Sequence, residues 1–140
     1  MARYELDIPS EPSQLARLRA FVTSFCLAGP VPILDETGIH ELELAVNEAA
    51  TNVMRHAHQG RTDLPIHVEA ESDAAQVVIR LRYGGTPFDP TTVAPPTFDG
   101  SREGGFGVYF ISMCVDQARY SQDKDGRNCL RLVKSRIQPN

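Results

Sequence analysis

Three polar side chains recur at every fourth position in one segment of the chain. They are Glu48, Asn52 and His56, and the apolar residues around them have helical spacing. Because four residues advance an α-helix by about 400°, the three are predicted to share one edge beside the apolar stripe. A carboxylate there can act as a general base, and an asparagine carbonyl oxygen can bind Mg²⁺ beside nucleotide phosphates. The alternative is that Glu48 and Asn52 are solvated and His56 complements the helix carboxyl end.

A glycine-rich stretch precedes a second helical pattern further along the chain. It consists of Gly104, Gly105, Phe106 and Gly107. Glycines let backbone N–H groups approach a phosphate closely, and the amino terminus of a helix favours negative charge. The stretch is therefore a candidate phosphate-binding loop, with an ordinary glycine turn as the alternative.

A third stretch follows a predicted strand and begins Tyr83-Gly84-Gly85. By itself this is no more than a tight turn. Together with the first two stretches, in this order and with a long loop before the third, it predicts a pocket suited to a magnesium nucleotide.

The rest of the sequence predicts the elements that must hold these residues together. Apolar alternation predicts five strands, at 4–8, 66–70, 76–81, 117–121 and 128–133, with hairpin turns at 71–73 and 125–126. Helical spacing predicts three helices: one capped by Ser10 or Ser13, one over 35–58, and one following Gly105. The segment 83–103 reads as a long loop, of the kind that forms lids or binding loops. The order predicts an α+β fold, a two-layer α/β sandwich in which three helices cover one face of a mixed, mostly antiparallel sheet.

Bulk properties limit the class of function. A chain of 140 residues is predicted to form one domain, 1–140, and its net charge of −4 with a pI near 5.5 gives no long-range attraction to nucleic acid or an anionic membrane. No apolar run is long enough to span a bilayer, and no signal-peptide profile is present. Three widely spaced cysteines favour a reduced, cytoplasmic protein.

The other histidine patterns receive plain interpretations. His56 and His58 alternate on a helix, so they are predicted to face apart, and no further ligand stands at zinc spacing. His40 and His67 are predicted to be surface or satisfied polar residues.

The three stretches together resemble the histidine-kinase-type (GHKL) ATPase fold, and most of all the anti-sigma-factor serine kinases of the RsbW/SpoIIAB type. The first family box resembles the segment Leu44 to Ala57, the second ends in Phe88-Asp89-Pro90, and the third resembles the segment Gly104 to Ile111. The resemblance covers nearly the whole chain.

The resemblance implies a role for each candidate residue. Glu48 would deprotonate a target serine, and Asn52 would bind Mg²⁺. ATP or ADP would be bound by a larger set of residues, namely Asn52, His56, Tyr83, Gly85, Gly104, Gly105, Phe106 and Gly107. The implied partners are a STAS-domain anti-sigma antagonist and a sigma factor or similar regulator. The protein would sequester that regulator until the antagonist displaces it, and it could act as a homodimer.

One position departs from the family pattern, and it leaves alternatives open. The second box carries an aspartate that accepts a hydrogen bond from the adenine amino group, and Tyr83 stands in its place. A phenol lacks the charge-assisted strength of a carboxylate. The alternative to a kinase is therefore a partner-binding regulatory module that keeps the fold and has lost nucleotide use. An ATPase within a larger machine is a third reading, without support from a companion domain in this sequence.

Overall fold

The computed structural model describes residues 2–85 and 106–136, with the backbone alone at 106–109. The chain order of the helices and strands is β1 Ala2–Pro9, α1 Leu15–Leu27, α2 Glu36–Asn52, β2 Pro65–Ser72, β3 Gln76–Tyr83, α3 Phe106–Cys114, β4 Gln117–Gln122 and β5 Asn128–Ser135. A 3₁₀ turn, Pro12–Gln14, leads into α1, and a π-helical turn, Val53–Ala57, extends α2.

The five strands form one sheet in the order β1-β2-β3-β5-β4. Each of its four pairings is antiparallel. Side chains alternate between the two faces of a strand, so the register assigns each residue to a face. The predicted α+β architecture, a largely antiparallel sheet with three helices, is confirmed.

The helix-covered face of the sheet carries the apolar core. One row across the strands joins Ile8, Ile66 and Tyr83, and a second joins Leu6, Val68, Leu81 and Leu130. These residues belong to, or pack against, one cluster with the buried residues of α1 and α2. The helices pack on each other as well as on the sheet, which gives the two layers their common core.

The opposite, outer face of the sheet is mostly polar, although Val78 and Val133 lie on it too. One row across it reads Glu5, Glu69, Arg80, Arg131 and Arg119. The neighbouring row joins Asp7, His67 and Arg82. Charges of both signs therefore meet on this face, close enough to form ion pairs across adjacent strands.

Helix α2 begins as the sequence suggests. Asp35 is its N-cap, and the Asp35 carboxylate accepts a hydrogen bond of 2.7 Å from the backbone N–H of Gly38. Buried residues then recur at helical spacing, with Leu42, Val46 and Ala49 facing the core. This face presses α2 between the sheet and the other helices.

Helix α1 begins differently from the prediction. Neither Ser10 nor Ser13 caps it: the residue before the helix is Gln14, which makes no side-chain capping bond. The Ser10 hydroxyl is instead bonded to His58, and the preceding turn at Pro12 supplies the entry into the helix. Proline at the start of a helical turn is favourable because its missing N–H is not needed there.

The second predicted helix, 35–58, is one continuous element that changes its winding. The α-helix ends at Asn52, and a π turn carries the chain from Val53 to Ala57, closed by the hydrogen bond of His58 N–H to the carbonyl of Val53 at 2.9 Å. π-Helical turns are rare inside helices and occur frequently at functional sites.

Two boundaries on β2 and β3 also differ from the prediction. The hairpin turn lies at 73–75, where the Asp73 carboxylate accepts hydrogen bonds from the backbone N–H groups of Ala75 and Gln76. Strand β3 runs on to Tyr83, so this residue ends a strand and does not begin the loop.

In the described part of the chain, no helix is long and apolar enough to cross a membrane.

Candidate functional site

Glu48 and Asn52 lie one turn apart at the carboxyl end of α2. Both side chains are half-buried, whereas Ala49 and Ala50 between them are buried in the core. The predicted placement at the margin of the apolar face therefore holds for these two residues. The margin leaves a carboxylate and a carboxamide partly desolvated yet reachable from one side.

Asn52 carries the most informative atom of this edge. Its Nδ2 is buried and has no hydrogen-bond partner in the part of the chain that the structure describes. Buried polar groups are nearly always paired, so an orphan of this kind needs an explanation such as a bound ion, water or ligand. Rotation of the amide by about 180° would present the oxygen in the same direction, and an amide oxygen is a hard ligand suited to Mg²⁺.

His56 lies in the π turn, beyond the end of the α-helix, and is exposed, whereas Glu48 and Asn52 are half-buried. The prediction that all three side chains share one edge, and the part of His56 in binding, stay predictions.

The Gly84–Gly85 turn is held against the end of the second helix by His58. This histidine is buried, and its Nε2 lies 3.1 Å from the carbonyl oxygen of Gly84. A carbonyl can only accept a hydrogen bond, so Nε2 carries the proton and Nδ1 accepts from the Ser10 hydroxyl at 2.8 Å. Burial lowers the pKa of His58 below its usual 6.5, which favours this neutral form.

Gly85 fits its place because it has no side chain. Its φ is +93°, and a Cβ built on it would lie 2.4 Å from the carbonyl oxygen of Ala57. The Gly85 carbonyl in turn accepts a hydrogen bond of 3.1 Å from the side chain of Asn128, a buried residue at the start of β5. The turn is thus fixed from α2 on one side and from the sheet on the other.

Tyr83 is buried on the helix-covered face of the sheet. Its side chain is 2% exposed and belongs to the core cluster, and its ring meets the His58 ring edge-on, with centroids 6.1 Å apart. Desolvation raises the pKa of Tyr83 to about 12, so its phenol is neutral. At the position where the resemblance expects an adenine-binding carboxylate, this chain therefore presents a buried aromatic ring.

The remaining candidate residues are not positioned by the described structure. Gly104 and Gly105, like the Phe88-Asp89-Pro90 turn and most of the predicted long loop, lie outside the described residues. Phe106 and Gly107 begin α3, which places a helix start where the sequence predicted one. Their role in binding phosphate stays a prediction.

Sequence reasoning missed the residues that fix the glycine turn. His58, Ser10 and Asn128 looked unremarkable, because their partners lie 48, 26 and 43 positions away in the chain. A signal was present at His58 alone, since it directly follows the family box. The prediction that His56 and His58 face apart agrees with the structure, where one is exposed and the other buried.

The described residues also line a large groove at the opposite end of α2. This groove has a volume of about 950 Å³ and is lined by Leu27, Val31, Ile39 and Glu43, among others. Ile39 and Asn52 are 13 residues apart on one helix, hence separated by about 20 Å. The groove is therefore distinct from the edge formed by Glu48 and Asn52, and it lacks a comparable orphaned polar group.

The fit of a magnesium nucleotide to the edge formed by Glu48 and Asn52 can be judged from the groups that would bind it. An orphaned amide at Asn52 and a half-buried carboxylate at Glu48 fit the metal part of such a group. At the position of Tyr83, the site has no carboxylate to accept a hydrogen bond from an adenine base.

Fold and site together define a two-layer ATPase-like domain with its polar edge at the end of the second helix. The chain belongs to the histidine kinase-like ATPase domain family, whose model matches residues 8–134. A solved structure with a similar fold is the histidine kinase domain of the blue-light-activated histidine kinase of Erythrobacter litoralis EL346. It has a TM-score of 0.51 and 16% identity, and the match covers 91% of this chain and 61% of that one.

The relatives that match this chain are named as serine or serine/threonine kinases. The serine-protein kinase RsbW of Listeria innocua is 31% identical over 94 residues, which are 61% of this chain and 60% of that protein. RsbW of Bacillus pumilus is 26% identical over 124 residues, covering 81% and 74% of the two chains. The serine/threonine-protein kinase BtrW of Bordetella bronchiseptica is 28% identical over 96 residues, covering 66% and 67%. The resemblance drawn from the sequence to RsbW-type kinases is confirmed.

Proposed function

We propose that this protein is a protein-serine kinase that binds Mg·ATP at the carboxyl end of α2. The observation that carries the proposal is the orphaned, buried amide of Asn52, one helical turn after the half-buried carboxylate of Glu48. The chain that carries this pair belongs to a family of ATPase domains. The relatives described above are named as serine or serine/threonine kinases.

Each residue of the site receives one task in this proposal. Asn52 holds the magnesium ion through its side-chain oxygen, and Glu48 accepts the proton of the substrate serine hydroxyl. Gly85 contributes to the nucleotide site from the turn after β3, while Gly104, Gly105, Phe106 and Gly107 form the phosphate-binding loop, with His56 and Tyr83 completing the nucleotide site. When bound, the magnesium nucleotide supplies the phosphoryl group and neutralises charge during its transfer.

The biological role that we propose is partner switching in the cytoplasm. The substrate is a serine of a STAS-domain anti-sigma antagonist, and the same protein sequesters a sigma factor or similar transcription regulator, as a homodimer or a monomer. Support comes from the similarity to proteins named RsbW, although the match to the Listeria protein spans only 60% of its length.

A second candidate function rests on Tyr83. Its buried ring occupies the position of the adenine-binding carboxylate, which favours a partner-binding module without nucleotide use. The relatives, which carry kinase names, favour the first function, and Glu48 and Asn52 would have no task in the second.

A phosphotransfer assay against a panel of STAS-domain proteins tests the kinase directly. The native protein should transfer phosphate from Mg·ATP to a serine, and Glu48→Gln should slow transfer by about 10²- to 10⁴-fold, the usual contribution of a general base, while still binding ATP. Glu36→Gln is the matched control, because Glu36 is an exposed carboxylate in the first turn of the same helix. Transfer that is equally fast in Glu48→Gln would overturn the assignment of the base.

If the native protein binds no ATP but captures a sigma factor or STAS-domain protein, the second function is the correct one. If it binds ATP without transferring phosphate to any member of the panel, the nucleotide site stands and the proposed substrate class fails.

A further inference from the structure

One side chain, that of His58, contacts each residue of the stretch that ends β3. Its ring meets the Tyr83 ring edge-on, and its Nε2 donates a hydrogen bond of 3.1 Å to the Gly84 carbonyl. A Cβ built on Gly85 would lie 3.3 Å from Cδ2 of His58, so the imidazole also packs beside this glycine. The position of the whole stretch therefore depends on where the imidazole lies.

The π turn after Asn52 determines the position of this imidazole. His58 directly follows the turn, and its own backbone N–H closes the turn on the carbonyl of Val53. The hydroxyl of Ser10, a buried residue just beyond β1, bonds to the other ring nitrogen, Nδ1. The helical segment that follows Asn52 and the turn at Gly84 are thus joined through one side chain.

The next carbonyl of the turn has an anchor of its own. Asn128 is buried at the start of β5, and its side-chain amide donates a hydrogen bond of 3.1 Å to the Gly85 carbonyl. Its side-chain oxygen accepts a hydrogen bond of 3.2 Å from Gln122 of β4, which leaves the amide N–H to donate to the turn. Two consecutive carbonyls are therefore held, one from the helix and one from the sheet.

These two hydrogen bonds do more than stabilise the fold. Gly84 and Gly85 are exposed, so carbonyls released from His58 and Asn128 can bond to water instead. Two adjacent glycines also have the widest choice of backbone conformations. A Gly-Gly turn without anchors would be spread over many positions, and a ligand that needs one of them would bind more weakly.

We propose that His58 and Asn128 are positioning residues of the nucleotide site. They hold the carbonyls of Gly84 and Gly85 and thereby keep the turn where it contributes to the binding of ATP. Both act through the turn, and neither takes part in the transfer of phosphate. This inference rests on the proposed nucleotide site, because the turn has a nucleotide to bind only if ATP occupies that site.

Two substitutions of His58 separate positioning from stability. Asparagine places its amide close to the position of Nδ1 and can still bond to Ser10, but it does not reach Gly84. Glutamine carries its amide further, close to the position of Nε2, and can still donate to the Gly84 carbonyl. Each variant loses the ring and one of its two hydrogen bonds, so both should lose similar stability in chemical denaturation.

Calorimetric titration of the full chain with Mg·ATP provides the readout that stability alone would not move. His58→Asn should weaken ATP binding by about tenfold, the factor that corresponds to one net hydrogen bond. His58→Gln should restore most of the affinity, to within about threefold of the native protein. The binding that remains in His58→Asn should still require magnesium, because Asn52 is unchanged.

Asn128→Leu tests the second anchor, and it provides the test if His58→Asn does not fold. Leucine has the branched shape of asparagine, carries no charge and cannot donate to the Gly85 carbonyl, so ATP binding should again weaken by about tenfold. His40→Asn is the matched control, because His40 is an exposed histidine near the other end of α2. This control should bind ATP as the native protein does.

The positioning role is overturned if the native protein binds Mg·ATP and folded His58→Asn binds it equally tightly. It is also overturned if His58→Asn and His58→Gln lose the same affinity, since binding would then follow stability alone, or if Asn128→Leu keeps the native affinity. Absence of ATP binding by the native protein is a different result: it removes the proposed nucleotide site, and the positioning role with it.

Discussion

The two faces of the sheet differ in how many polar groups they carry and in how those groups are bonded. On the helix-covered face most side chains are apolar, and buried polar groups such as Asn128 of β5, and His58 packed against this face, make specific hydrogen bonds. On the outer face, charged residues such as Glu69, Arg80 and Arg82 stand side by side in ion pairs. A buried polar atom without a partner is therefore exceptional in the described core.

This difference decides what kind of observation points to function. On the covered face, one orphaned amide at Asn52 is informative because burial without a partner is costly. On the outer face, a single charge means little, because neighbouring strands supply charges of the opposite sign. The substitutions below test this contrast.

The largest effect is expected at Gly85. Gly85→Ala forces a Cβ to within 2.4 Å of the Ala57 carbonyl at a φ of +93°, so it should lower the free energy of unfolding by about 3 kcal/mol or more. Gly60→Ala is the matched control, because Gly60 also has a positive φ, +81°, but open space around it. Its cost should be only about 1 kcal/mol. Chemical denaturation measures both, and equal losses would show that the contact with α2 has no special importance.

The next largest effect is expected at Tyr83. Tyr83→Asp removes a buried ring and should cost about 3 kcal/mol of unfolding free energy. It should also raise the affinity for ATP by about tenfold or more, since a carboxylate makes the stronger hydrogen bond to a donor. Tyr83→Phe is the control and should change both quantities little. Calorimetry that finds no gain for a folded Tyr83→Asp protein would remove Tyr83 from the nucleotide site.

His58→Leu should have a smaller effect that depends on pH. At neutral pH the loss of hydrogen bonds to Ser10 and Gly84 should cost about 1–3 kcal/mol. Burial lowers the pKa of His58 in the folded protein, so the unfolded chain binds the proton more readily. The stability that neutral His58 contributes is thus present above pH 6.5 and is lost as the pH falls from there through the lower folded pKa.

The unfolding free energy of the native protein should therefore decrease below pH 6.5 more steeply than that of His58→Leu. His40→Asn, a change at an exposed histidine, should keep the native slope. Denaturation midpoints measured across this pH range provide the comparison. Parallel slopes for the native protein and His58→Leu would contradict the buried, neutral assignment.

The smallest effect is expected on the outer face. Glu71→Gln breaks the ion pair with Arg80, in which both side chains are partly exposed, and should cost less than about 1 kcal/mol. Added salt should reduce this cost further. A loss comparable to that of Gly85→Ala would show that the charges of this face stabilise the fold as strongly as the packing of the covered face.

The sequence predicted the elements better than it predicted their junctions. Alternation and helical spacing report burial, so they located all five strands and α2, along with the edge that holds Glu48 and Asn52. They could not locate the π turn at Val53, because a change of winding leaves the pattern of apolar residues nearly intact. The contacts around His58 and His67 escaped for a different reason: they join segments that the sequence separates widely, and register must be known before they can be seen.

Titration calorimetry of ATP with and without Mg²⁺ tests the central claim most directly. The native protein should bind ATP with micromolar affinity only when magnesium is present. Asn52→Ala should lose this magnesium-dependent binding of ATP. Glu36→Gln, at the other end of the same helix, should bind ATP as the native protein does. Absence of ATP binding by the native protein, or equal magnesium-dependent binding by Asn52→Ala, would contradict the assignment of the α2 edge as a magnesium-nucleotide site.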